Sequence, residues 1–182
     1  MSPTLLATND FPPKVGGIQS YLWELWRRLD PGSTVVLTAR SHRAHASFDR
    51  EEGERGLRIS RVNAPILFFP TPFALRRIRA VCAEVKPDLV LLDPVWPLGL
   101  LGSRLGIPYG VILHGAEVAI PARIPLVRRG LASTLRGASI IVSAGHYPVE
   151  AAERATGVNL TNVVEVPPGV DSARYGRLVG VE

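Results

Sequence analysis

Cysteine is almost missing: Cys82 is the single one in 182 residues. An internal disulfide framework is therefore excluded, and a reducing compartment is the expectation. Cys82 falls in an apolar helical pattern, which suits a buried thiol better than a nucleophile. Lysine is nearly missing too. Of the 21 basic residues only Lys14 and Lys86 are lysines, and the rest are arginines. No apolar run approaches the roughly 18 residues that span a bilayer. No basic segment precedes an apolar stretch at the N-terminus, so no secretory signal is read there. Zinc-finger spacing, an RRM signature and a long basic tail are all lacking, which ranks nucleic acid last among partners for the formal charge of +5. Neither G-x-G-x-x-G nor G-x-x-x-x-G-K-[ST] occurs, so the dinucleotide and P-loop motifs are unsupported.

What is present is an alternation of short apolar strands and amphipathic helices. Strands are expected at Leu5–Thr8, Thr34–Thr38, Leu57–Val62, Asp88–Asp93, Pro108–Leu113, Ser139–Ser143 and Val163–Val166. Helices are expected from Tyr21 to Leu29, Phe73 to Val85, Pro94 to Gly106, Leu126 to Leu135 and Val149 to Ala155. Arg40 to Arg55 is polar, contains His42 and His45, and reads as a mobile loop with both histidines in solvent. Repeated βα units predict an α/β fold: a Rossmann-like open parallel sheet with helices on both faces. Hydrophobic residues at 46% suffice for the core of one domain.

The stretch Asn9-Asp10-Phe11-Pro12-Pro13-Lys14-Val15-Gly16-Gly17-Ile18-Gln19 joins the first strand to the first helix. Gly16 and Gly17 leave bare backbone beside the free N–H groups of a helix start, the chemistry of an anion site. A tight connection with no ligand would use the same residues. In a parallel sheet ligands collect beyond the carboxyl ends of the strands. The loops Asp10–Gly17, Asp93–Pro97, His114–Glu117, Ser143–Tyr147 and Pro167–Asp171 are therefore expected to converge there. His114 ends a buried strand, where it is either a satisfied core residue or a functional one. Gly115 opens the backbone beside it, and Glu117 adds an acceptor. A His-x-x-Glu pair without a third ligand at a recognisable spacing does not make a metal site.

The first turn, His114-Gly115-Ala116-Glu117 and Pro168-Gly169-Val170-Asp171 in combination resemble the N-terminal domain of retaining GT-B glycosyltransferases of family 4. Residues 9–21 look more specifically like the actinobacterial PimB-type phosphatidylinositol-mannoside mannosyltransferases. The resemblance covers essentially the whole chain. It implies an acceptor-side domain over residues 1–171, the start of a linker over 172–182, and a donor-binding C-terminal domain that is missing here. It implies His114 as the catalytic residue contacting the sugar. Asp10, Lys14, Gly16, Gly17, Gln19, Gly115, Glu117 and Gly169 are the implied substrate-binding residues, and no metal is implied. Pro168 departs from the family's usual Asn or Ser. No cofactor is implied beyond the donor substrate, GDP-mannose. The implied partners are that nucleotide sugar, a phosphoinositide-type lipid acceptor and the chain's own C-terminal domain. A cytoplasmic location, peripheral at the inner face of the plasma membrane, follows. Ile66-Leu67-Phe68-Phe69-Pro70-Thr71-Pro72-Phe73, followed by Arg76, Arg77 and Arg79, is either an apolar rim for an anionic membrane or a covered loop with a solvated helix face. The alternatives are a family 4 transferase with another sugar or acceptor, and a stand-alone, non-catalytic module that binds a phosphorylated ligand or a partner.

Overall fold

A computed structural model describes residues 3–40, 45–119 and 121–169. Seven strands form one all-parallel sheet in the order β3-β2-β1-β4-β5-β6-β7. They are β1 (Thr4–Thr8), β2 (Thr34–Ala39), β3 (Arg58–Val62), β4 (Leu89–Asp93), β5 (Tyr109–Leu113), β6 (Ile140–Ser143) and β7 (Val163–Glu165). The helices are α1 (Gly17–Trp26), α2 (His45–Glu54), α3 (Pro72–Val85), α4 (Ala116–Ala119), α5 (Pro125–Gly137) and α6 (His146–Thr156). The Rossmann-like sheet is as the sequence implied.

Alternation along each strand divides the core in two. On one face Leu5, Ala7, Val90, Leu92, Val111 and Leu113 pack with Ile78 of α3, Leu131 and Leu135 of α5 and Ala152 of α6. On the other, Leu6, Val36, Leu91 and Ile112 pack with Tyr21, Leu22 and Trp26 of α1. β1, β4 and β5 are thus buried on both sides, which is why they read as apolar runs. Helix α3 starts cleanly: Pro72 occupies its first turn and Thr71 Oγ1 accepts from the Ala74 amide at 3.1 Å. It stops at Lys86, which takes a left-handed conformation.

Three elements differ from expectation. The polar stretch 40–55 holds helix α2 in place of a mobile loop. Its one large apolar side chain, Phe48, meets Phe11 and Trp23 edge to face, at 6.4 and 5.9 Å between centroids. Its acids are used: Glu52 is buried and accepts from Trp23 Nε1 at 2.9 Å, and Asp49 takes both Nε and a terminal nitrogen of Arg61. His45 begins that helix half-buried, not in solvent, while His42 lies outside the described residues. Second, residues 94–106 form only a 3-10 helix, Leu98–Arg104. Pro94 and Pro97 remove amides at its start. Gly99 and Gly102 bring it close to its neighbours: a Cβ on Gly102 would lie 2.4 Å from the Tyr109 ring. Third, α1 ends at Trp26, and Leu29 is half-exposed, not part of its buried face. Cys82 is half-buried, and burial pushes its thiol pKa up.

Candidate active site

The register places Thr8 of β1 opposite Asp93 of β4, and β5 runs beside β4 and ends at Leu113, next to His114. Their side chains form one chain of hydrogen bonds across the carboxyl edge. Thr8 Oγ1 donates to Asp93 Oδ2 at 2.6 Å, and His114 Nε2 meets Asp93 Oδ1 at 2.7 Å. Thr8 Oγ1 also accepts from the Asp10 amide at 2.8 Å, which fixes where the first turn leaves the strand. The Asp93 side chain is 1% exposed and that of His114 is 9%. A carboxylate so deep requires partners, and it has two. Burial is the strongest influence on His114 and favours its neutral form. The hydrogen bond to Asp93, with the charges of Asp93, Glu117 and Asp10, outweighs burial and raises the pKa above 6.5. Asp93 holds Nε2, and among the described residues nothing takes Nδ1, so a protonated ring keeps one N–H to offer.

The first turn lies against this imidazole. Tyr21, one turn into α1, packs edge to face on His114 at 5.9 Å between centroids. Its hydroxyl donates to the Val166 carbonyl at 2.7 Å, and its pKa is pushed up to about 12 by burial and then by the Asp93 charge. Asp10 Oδ1 is held by Gln19 Nε2 at 2.7 Å and by Lys14 Nζ at 2.5 Å. Gln19 is buried, and a Cβ on Gly16 would sit 2.1 Å from its Oε1. A side chain at position 16 would therefore have to push the Gln19 amide aside. Gly17 has nothing within 4 Å of where a Cβ would sit. Helix α1 has no side-chain cap, so its first amides are left to solvent or a ligand.

Glu117 works on the backbone: its Oε1 accepts from the amides of His114 at 2.6 Å and Gly115 at 3.1 Å. It holds the turn in shape and does not touch the ring. Gly115 has φ +115, a conformation that favours glycine, and a Cβ there would reach the Tyr147 ring at 3.4 Å. Gly169 is exposed, with open space around its Cβ position, and no contact joins it to the other candidates. Val170 and Asp171 lie outside the described residues. No group of three or more His, Cys, Asp and Glu among the described residues could hold a metal ion.

Four contributors escaped the reading of the sequence. Asp93 and Thr8 left one signal each, a polar residue closing an apolar strand. Tyr21 looked like one more core position of α1. Arg61 left none: buried on β3, it donates to the Pro12 carbonyl at 2.6 Å and to the Ala39 carbonyl at 3.1 Å, besides its pair with Asp49. It fastens the first turn from the side. Asn9 Oδ1 does the same for the apolar segment, accepting from the Leu67 amide at 3.0 Å.

The model of the glycosyl transferase 4-like domain matches residues 16–169, from the first glycine of the turn to the last described residue. The chain belongs to the glycosyl transferase 4-like domain family. Its relatives in this family include the GDP-mannose-dependent alpha-(1-6)-phosphatidylinositol monomannoside mannosyltransferase of Mycobacterium tuberculosis, 31% identical over 181 residues. That match takes in 96% of this chain and 46% of the relative. The GDP-mannose-dependent monoacylated alpha-(1-6)-phosphatidylinositol monomannoside mannosyltransferase of Corynebacterium glutamicum is 30% identical over 178 residues, 94% of this chain and 45% of that protein. The chain therefore spans about half the length of the curated relatives it matches. Among solved structures, Anabaena Alr3699/HepE in complex with UDP superposes with a TM-score of 0.68 at 14% identity, over 95% of this chain and 46% of that one. A glycosyltransferase from Rickettsia africae gives 0.67 at 14% identity, over 96% and 45%. These structures share the fold of this glycosyl transferase 4-like domain.

Proposed function

We propose that this chain is the acceptor-side domain of a retaining GT-B mannosyltransferase that moves mannose from GDP-mannose to a phosphatidylinositol mannoside lipid. The reading is supported by the buried Asp93–His114 pair, by Tyr21 packed on the imidazole and by the first turn leaving the adjacent strand tip, all at the carboxyl edge, which forms one wall of the proposed crevice. In the transfer, the bond between the sugar's C1 and the diphosphate oxygen breaks, and C1 bonds to an acceptor hydroxyl. The hydroxyl's proton leaves with the diphosphate. The negative charge that develops on the diphosphate is met by the free amides at the start of α1, beside Gly17. His114, its Nε2 held by Asp93, turns its Nδ1 edge to a sugar hydroxyl and orients the ring for attack. Asp10, Lys14 and Gln19 hold the turn and supply polar contacts at its mouth.

A donor-binding domain beyond residues 1–171 supplies the other wall of the cleft in this reading. The lipid reaches the site along the rim formed by Ile66, Phe69 and Phe73, 50%, 53% and 39% exposed, beside Arg76. Among the described residues no helix is long and apolar enough to cross a membrane. The test is transfer by the full-length protein from a panel of nucleotide sugars to phosphatidylinositol monomannoside in vesicles. Mannose transfer from GDP-mannose, falling roughly 10²-fold or more in His114→Ala, is expected. Transfer from a different nucleotide sugar would replace donor and acceptor, and no transfer from any would leave a binding module.

A further inference from the structure

Helices α5 and α6 flank an open groove of about 450 Å³ that shares no residue with the His114 site. Helix α6 starts after the carboxyl end of β6 and runs back, so its last turn, which lines the groove, lies toward the opposite edge of the sheet. Arg128, Arg129, Arg136 and Arg154 line the groove, and no acidic residue does. Arg128, Ala132 and Arg136 recur every fourth residue and so share one face of α5. Arg154 is paired with Glu150 at 3.0 Å, but no hydrogen bond or ion pair among the described residues engages the guanidinium of Arg128, Arg129 or Arg136. The floor is small: Ala132 is 4% exposed, and a Cβ on Gly157 would meet nothing within 4 Å. The Thr156 hydroxyl is already used, donating to the Ala152 carbonyl at 2.6 Å. Recognition in the groove therefore rests on guanidinium groups, whose planar donors match phosphate oxygens. Three unneutralised cations around a small-residue floor have no structural task that the fold reveals.

The geometry points to a second anion site: the α5–α6 groove binds a phosphate group, carried by a soluble polyphosphate or by a lipid head, independently of the sugar-transfer crevice. The experiment is calorimetry of the full-length protein with inorganic tripolyphosphate at low salt. Co-sedimentation with phosphatidylcholine vesicles, with and without phosphatidylinositol, runs beside it. Arg128→Glu/Arg136→Glu is expected to weaken tripolyphosphate binding about tenfold or more, and Arg129→Ala by less. Arg50→Glu, an equal charge change per residue on exposed α2, should alter affinity less than about twofold. Tripolyphosphate binding without vesicle recruitment assigns the phosphate to a soluble ligand. Recruitment by phosphatidylinositol that the double variant loses assigns it to a lipid head. Unchanged affinity in a folded double variant overturns the site, as does an equal loss in Arg50→Glu. Binding that survives the double variant but vanishes in Gly17→Ala would place the phosphate in the crevice and overturn it too.

Discussion

Replacing Asp93 by Asn removes one charge from the centre of the site while keeping its shape. In the native pair Asp93 accepts from both Thr8 and His114, and Thr8 Oγ1 already accepts from the Asp10 amide. An asparagine whose carbonyl faces His114 turns its NH₂ toward Thr8, setting donor against donor. One charge-assisted bond is lost and one hydroxyl is left without its acceptor, a cost of about 2 kcal/mol. Asp93→Ala strands both buried partners and costs about 4 kcal/mol. The pH dependence follows from the raised pKa of His114. Its folded pKa lies above the unfolded 6.5, so the pair stabilises fully below 6.5 and its contribution is lost as pH rises through the folded value. The gap between wild type and Asp93→Asn in urea unfolding should therefore be widest near about pH 6 and narrower near about pH 9. The imidazole resonance of His114, followed by NMR, should titrate at lower pH in Asp93→Asn, because burial then acts with less opposition. A gap that does not change with pH, or an unmoved resonance, would refute the coupling.

The remaining predictions concern the supports of the crevice. Arg61→Ala should cost about 3 kcal/mol in urea unfolding, because it leaves Asp49 and the Pro12 carbonyl without their buried partner. Gly16→Ala should displace Gln19 and lower stability by about 1 kcal/mol, whereas Gly17→Ala should leave the melting temperature within error and lower transfer activity. Tyr21→Phe removes the bond to Val166 and should cost about 1 kcal/mol, with amide exchange at the end of β7 becoming faster.

The inner strands β1, β2, β4 and β5 were legible because they are buried on both faces and so stand out as apolar runs. Helices α3 and α5 were legible from their periodicity. Helix α2 was not, since Phe48 is its single large apolar side chain and its acids are satisfied by Trp23 and Arg61, residues outside the helix. The candidate site divides in the same way. Gly16, Gly17 and His114 stand in local patterns that announce a turn or a strand end. Asp93 becomes meaningful only when the register sets it beside Thr8 and within reach of His114, a relation no local window contains. Glu117 carries a further relation that its position did not reveal: one of its oxygens accepts from two neighbouring amides.

The Thr8–Asp93–His114 relay ties together the tips of three adjacent strands, β1, β4 and β5. Unzipping the sheet from that end must first dismantle the same bonds that aim the imidazole. Local breathing and loss of competence are consequently a single cooperative event, and the amides at these tips should exchange with solvent only as fast as the site itself falls apart.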